Sequence, residues 1–180
     1  MFKKVADSET VITELMTPSY ANFGGKVHGG IILSLMDKVA YVCATKHSQT
    51  YCVTVAVEGV EFLHPVEVGE LLSIKASVNH VGNTTMIVGM RVESLNPQTG
   101  VVKHTNSSYF TMMAKYEHDE HKLVPGLVIE NEVQLRRFCE GKYLKKTSLE
   151  RRKVLRSDFL EYDLTALKKQ CNSDRCQFDF

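Results

Sequence analysis

Between Gly29 and Cys43 the chain carries apolar side chains on almost every side of a helical projection, at Ile31, Ile32, Leu33, Leu35, Met36, Val39, Ala40, Val42 and Cys43. A helix of that kind is expected to be wrapped by other elements rather than laid on a surface. Gly29-Gly30 opens it, and Lys46-His47-Ser48 closes it with basic side chains at the negative end of the helix dipole. The period then changes. Cys52 to Leu63 is rich in β-branched residues and ends at Pro65, Glu70 to Val81 follows a turn at Glu67-Val68-Gly69, and Val101 to Tyr116 follows the turn Asn96-Pro97-Gln98-Thr99-Gly100. In Thr84 to Leu95, Met86, Val88, Met90 and Val92 alternate with Ile87, Gly89, Arg91 and Glu93, the period of a strand with one buried face. An earlier strand is expected at Val11 to Met16.

The predicted order is therefore a strand, a long helix and four further strands. The short turns predict that consecutive strands are antiparallel neighbours. One apolar helix beside an antiparallel sheet can bury itself only in the concave face, which makes the fold class α+β. Such a sheet has free edges, and pairing of edge strands between two copies is the expected way to close one. After Glu117 the pattern changes again. His118-Asp119-Glu120-His121 and Pro125-Gly126 are breaks, and the chain from Asn131 reads as charged helix. Between Lys142 and Arg156 there are seven basic residues against one acidic residue, Glu150. Leu144, Leu149, Val154, Leu155, Phe159, Leu160, Leu164 and Leu167 offer one side for packing. The expected organisation is a main domain over residues 1–122 and a charged helical extension over residues 123–180.

Composition narrows the functional classes. A hydrophobic fraction of 43%, a charged fraction of 24% and a formal net charge of +1 are those of a globular domain, and they call for neither a nucleic-acid nor a membrane partner. The first residues hold two lysines but no apolar core of a secretory signal, so a cytoplasmic protein is expected. The five cysteines, Cys43, Cys52, Cys139, Cys171 and Cys176, have no metal-ligand spacing, and no metal site is expected.

Candidate chemistry gathers before and within the helix. Asp37 sits among Leu35, Met36, Val39 and Ala40. A carboxylate held there has either a structural hydrogen bond or ion pair, Lys38 being adjacent, or a catalytic role as general base or nucleophile. Gly29-Gly30 places bare backbone at a helix start, where free amides bind phosphate or a developing oxyanion, although a tight turn packed against the sheet needs glycine equally. Asn22 lies in a loop with Gly24 and Gly25, a common place for a turn or cap asparagine, and His28 is a conceivable base or a packing residue.

The run Asn22-Phe23-Gly24-Gly25-Lys26-Val27-His28-Gly29-Gly30, followed by Ile32-Leu33 and Asp37, resembles the signature of cytosolic acyl-CoA thioesterases of the hotdog fold, in which a sheet wraps one long central helix. The likeness continues through Phe62-Leu63-His64-Pro65-Val66-Glu67-Val68-Gly69-Glu70, Gly82-Asn83-Thr84-Thr85-Met86 and His104-Thr105-Asn106-Ser107. The resemblance implies hydrolysis of fatty acyl-CoA to free acid and CoA, with no cofactor. It implies that Asp37 is the catalytic acid, that Asn22 positions the water or the thioester, and that the two come from opposite subunits of a homodimer, commonly assembled as a trimer of dimers. It further implies that the Gly29 and Gly30 amides, Gly30 above all, polarise the carbonyl, and that His28, Asn83, Thr84, Thr85, Lys103, Thr105 and Asn106 lie along the CoA moiety. Two other readings stay open on the same fold: a non-catalytic acyl-CoA or nucleotide sensor, and a dehydratase that uses His28.

Overall fold

The computed structural model describes residues 1–116, 123–157, 163–171 and 175–179, with residues 156 and 157 described by their backbone alone. The polar break at His118 to His121 and the side chains of Arg156, Phe159 and Leu160 lie outside the described residues. Two compact units divide the chain, Met1–Leu144 and Lys145–Phe180. In order, the elements are β1 (Phe2–Lys4), β2 (Thr10–Leu15), α1 (Gly29–Ser48), β3 (Tyr51–Phe62), β4 (Leu71–Val81), β5 (Thr85–Leu95), β6 (Val102–Lys115), β7 (Gly126–Val128), α2 (Glu132–Ser157) and α3 (Leu164–Gln170).

The predicted helix and five strands are present, but the predicted pairing of consecutive strands fails at one place. The sheet order is β2-β4-β5-β6-β3, so β3 lies on the edge beside β6 and not beside β4. The chain between β3 and β4 is no tight turn. Residues 63–70 cross the end of the sheet beneath the start of α1, where Val27 N–H donates to Val66 O at 2.9 Å and Met16 N–H to Glu70 O at 2.9 Å. β4-β5 and β5-β6 are hairpin neighbours as the turns predict. A short parallel pair, β1 with β7, has no counterpart in the sequence pattern.

α1 crosses the inner face of the sheet. Ile32, Leu35, Met36, Val39, Ala40, Cys43 and Ala44 are buried at helical spacing against Leu72, Ile74, Val78, Met86, Val88, Val92, Phe110 and Met112. The expectation of a helix enclosed on every side is not met within one chain. Ser34, Asp37, Lys38, Tyr41 and Val42 form an exposed side, because β3, the strand nearest that side, is the last of the sheet. Val55 and Val57 of β3 are exposed as well. Exposed apolar side chains on an unpaired strand edge and on the helix beside it mark a surface built to be covered.

The outer face of the sheet is covered in part by the early residues of α2. Phe138 packs its ring 4.8 Å from that of His80, and Tyr109 donates to Glu140 Oε2 at 3.0 Å. The second unit carries the later residues of α2 and then α3, whose start is capped by Asp163 accepting from Thr165 N–H at 2.9 Å.

The far end of α1 is tied to both short strands. His47 is fully buried with Nε2 against Pro125 O at 2.8 Å, while Lys3 Nζ donates to His47 O at 2.7 Å. The His47 Nδ1 atom is buried without a hydrogen-bond partner among the described residues. Burial pushes this imidazole below its ordinary value against the opposing pull of the Pro125 carbonyl. The unfolded chain therefore binds this proton at higher pH than the native protein does. Stability is full above the ordinary histidine value of about 6.5 and falls as pH drops toward the lower native value. Thermal unfolding at pH 7 and pH 5 will show a drop in midpoint that is smaller in His47→Gln; equal drops would contradict this.

Candidate active site

The exposed side of α1 carries Asp37 about two turns from the helix start. The carboxylate is not enclosed by its own chain, contrary to expectation, because it points to the side of α1 that only β3 approaches. Thr54 of β3 donates its hydroxyl to Asp37 Oδ1 at 2.5 Å, and that Thr54 hydroxyl lies 3.4 Å from Met112 Sδ. No ion pair involves Asp37 among the described residues, and Lys38 does not reach it. Oδ2 is thus left free to accept. The group stands in the wall of a cleft of about 600 Å³ whose other walls include Tyr41, Val42, Val53 and Met112. Tyr41 and Tyr51, with ring centroids 6.1 Å apart, stand at the end of this cleft.

At the start of α1, His28 is the capping residue. Its Nδ1 accepts the Gly30 N–H at 2.9 Å, and its carbonyl accepts the Ile31 N–H at 2.9 Å. The Gly30 amide, expected to face a substrate carbonyl, is spent on this cap. The Gly29 N–H is the one left without a partner among the described residues. The Phe62 ring rests on Gly29, where an added Cβ would sit 3.2 Å from it, so glycine is needed there for close approach. With Nδ1 engaged in this way His28 is no free base, and the dehydratase reading loses its residue.

Asn22 shapes the loop before the helix. Its Oδ1 accepts from Gly24 N–H at 2.9 Å and Lys26 N–H at 3.2 Å, and its own N–H donates to Lys26 O at 2.6 Å. Two backbone donors hold the oxygen inward, so the exposed side chain presents its Nδ2 donors outward.

Geometry separates these groups within one chain. Gly29 and Asp37 are about 12 Å apart along the axis of α1, at 1.5 Å per residue. Within one chain the two groups therefore sit two helical turns apart.

The residues expected along the CoA moiety divide between two ends of the sheet. Asn83, Thr84 and Thr85 form the β4-β5 turn, where Asn83 O accepts from Val124 N–H at 2.8 Å and Thr84 O from Ala114 N–H at 2.8 Å. Lys103, Thr105 and Asn106 lie toward the other end of β6. Thr105 and Asn106 are fully buried, their side chains donating to Val92 O at 3.3 Å and Glu61 O at 3.2 Å. Lys103 Nζ lies 3.8 Å from Glu70, a carboxylate only 2% exposed. Thr54 was absent from the sequence expectations, because a threonine within a β-branched run carries no sign of which helix residue it will face.

A sequence profile described as "Thioesterase superfamily" matches residues 24–101. Protein VdlD of Helicobacter pylori is 42% identical over 150 residues, covering 83% of this chain and 84% of VdlD. The human cytosolic acyl coenzyme A thioester hydrolase is 30% identical over 140 residues, which are 77% of this chain and 37% of that protein. Among solved structures, an apo-hexameric acyl-CoA thioesterase aligns with a TM-score of 0.79 at 32% identity, covering 83% of this chain and 96% of its own. The acyl-CoA hydrolase of Staphylococcus aureus, solved with butyryl coenzyme A and coenzyme A, aligns with a TM-score of 0.78 at 24% identity over 84% of this chain and 93% of its own. That hydrolase has also been solved with an aspartate, a threonine and an asparagine each replaced by alanine.

Proposed function

The chain belongs to the thioesterase superfamily and is a hotdog-fold acyl-CoA hydrolase, and we propose that it cleaves fatty acyl-CoA at a site shared by two copies of itself. The observation that carries this reading is the Asp37 carboxylate, held at Oδ1 by Thr54 on the open side of α1, beside the unpaired edge of β3 and two helical turns from the Gly29 amide of its own chain. A second copy removes that distance. Along β3, Thr54 lies near one end and Phe62, which rests on Gly29, lies at the other. Antiparallel pairing of two β3 edges sets the Thr54 end of one beside the Phe62 end of the other. Asp37 of one copy then meets Gly29 and Asn22 of its partner, and exposed Tyr41, Val42, Val55 and Val57 are covered. The dimer is the working unit. A trimer of such dimers is the assembly we expect.

In this site Asp37 Oδ2 takes a proton from water, and the water oxygen bonds to the thioester carbon as the carbonyl electron pair moves onto oxygen. The Gly29 N–H of the other copy faces that oxygen, and Asn22 Nδ2 fixes the water or the thioester. Collapse breaks the C–S bond, and the CoA sulfur leaves with the proton that Asp37 held. In the S. aureus hydrolase, the substituted asparagine, aspartate and threonine have the same separations along the chain as Asn22, Asp37 and Thr54. That agreement supports assigning Thr54 to the site. Asn83, Thr84, Thr85 and Lys103 remain our candidates for the CoA phosphates and pantetheine, while Thr105 and Asn106 act by holding β6 in place. Every catalytic group lies within residues 1–122, which we take as the catalytic domain. Among the described residues no helix is long and apolar enough to cross a membrane, and we place the protein in the cytoplasm.

The test is direct. Purified protein incubated with acyl-CoAs of increasing chain length and a thiol reagent should release CoA, and absence of release at every length would refute the proposal. Thr54→Val keeps the shape of the side chain and removes its hydrogen bond to a charged group. A loss of roughly 1.5–3 kcal/mol corresponds to a fall in kcat of about 10-fold to 100-fold. An unchanged kcat would remove Thr54 from the site.

A further inference from the structure

On the face of the sheet opposite α1 lies a second cleft, of about 520 Å³, between β4, β5, β6 and the early residues of α2. Its size is that of small-molecule sites, which run to about 300–1,000 Å³. None of the groups assigned to hydrolysis line it. Its charged lining has four cationic side chains, Lys75, Arg91, Arg136 and Arg137, against two carboxylates, Glu9 and Glu140. Arg91 commits only Nε, to Glu93 Oε1 at 2.7 Å, and Lys75 Nζ reaches the other oxygen of Glu93 at 2.6 Å. Arg136 commits Nη1 to Glu140 at 3.1 Å, and Arg137 makes no ion pair among the described residues. Three guanidinium forks with unspent N–H groups therefore converge on one concavity.

The floor matches the rim. Ser77 and Asn79 are 7% and 5% exposed, and the Ser77 hydroxyl donates to Asn79 Oδ1 at 2.9 Å. With its oxygen engaged, Asn79 offers only its Nδ2 donors, and these press toward Gly89, where an added Cβ would sit 2.1 Å from the nitrogen. Gly89 leaves the space that this amide fills. Arginine forks and a carboxamide N–H₂ over a small cavity suit a ligand of many acceptor oxygens, and guanidinium geometry fits phosphoryl groups in a two-pronged manner.

We propose that this cleft is a second binding site, separate from the hydrolytic one, for a phosphate-bearing small molecule. Arg91 and Arg137 grip the phosphoryl oxygens, and Asn79 reads the ligand from the floor. An occupant lies against Tyr109 and Ser107 of β6, the strand whose opposite face carries Met112 beside Thr54. β6 thus links the two clefts.

Calorimetric titration of the full-length protein tests this with inorganic pyrophosphate and ADP as probes and acetate as the carboxylate control. Saturable binding of pyrophosphate or ADP but not acetate is expected, with affinity reduced about tenfold or more in Arg137→Ala and lost in Arg91→Gln/Arg137→Ala. Both positions are exposed, so these variants should fold, and equal melting temperatures check it. Asp37→Ala should bind the probe as the wild type does. The proposal is overturned if the wild type binds neither phosphate probe, if the double variant binds as well as the wild type, or if Asp37→Ala abolishes binding.

Discussion

Asp37→Ala will lower kcat for acyl-CoA hydrolysis by about 100-fold to 10,000-fold, the range that a positioned general base contributes. The melting temperature will hardly move. Asp37 is exposed on its own chain, and its side-chain hydrogen bond comes from Thr54, whose hydroxyl solvent or Met112 can satisfy. A catalytic carboxylate and a structural one differ in this respect: loss of a buried, paired carboxylate leaves a partner unsatisfied and costs stability, whereas loss of an exposed catalytic one costs only the reaction. Steady-state kinetics and thermal unfolding on the same preparations separate the two roles. A variant that is both destabilised and active would make Asp37 a structural residue.

The second large effect is expected at a residue that touches no substrate. Val57 is 42% exposed on the free edge strand β3. Val57→Asp places a charge where two copies would meet, and burial of an unpaired carboxylate costs several kcal/mol, roughly, so the partner is excluded. Asp37, Thr54, Gly29 and Asn22 all survive in that monomer, but no partner brings its Gly29 and Asn22 to Asp37. Activity should fall as far as it does in Asp37→Ala, and light scattering should show the mass of one chain. A fully active monomer would show that one chain holds a complete site.

Much of the fold was legible along the chain. The alternation Met86, Val88, Met90 and Val92 placed β5 with the correct face inward, and Gly29-Gly30 and Lys46-His47-Ser48 placed both ends of α1. Neighbour order was less accessible. Periodicity states which face of a strand is buried and says nothing about which strand lies beside it, so the crossing of residues 63–70 and the edge position of β3 were missed. The apolar composition of α1 implies complete enclosure, although Tyr41 and Val42 are apolar on a side its own chain leaves open. The same composition implies a buried Asp37, yet Asp37 is exposed on that side. In the site, the importance of Asp37, Asn22 and the glycine pair came from a resemblance of motif, since each has a plain structural use. The engagement of the Gly30 amide depends on His28 turning its Nδ1 back onto the helix start, a rotamer that no spacing encodes. Thr54 needed the return path of β3 along α1 before it had any meaning.

The division of the site between two chains is tested most directly by mixing two inactive variants. Asn22→Ala and Asp37→Ala are purified separately, dissociated together and reassembled, then assayed against each variant reassembled alone. In a mixed dimer of a two-fold assembly, one site carries both substitutions and the other carries neither, so random pairing should restore about a quarter of wild-type activity. Activity that stays at the level of the separate variants, with mixed dimers shown to be present, would mean that Asn22 and Asp37 serve the same chain, and the shared site would have to be abandoned.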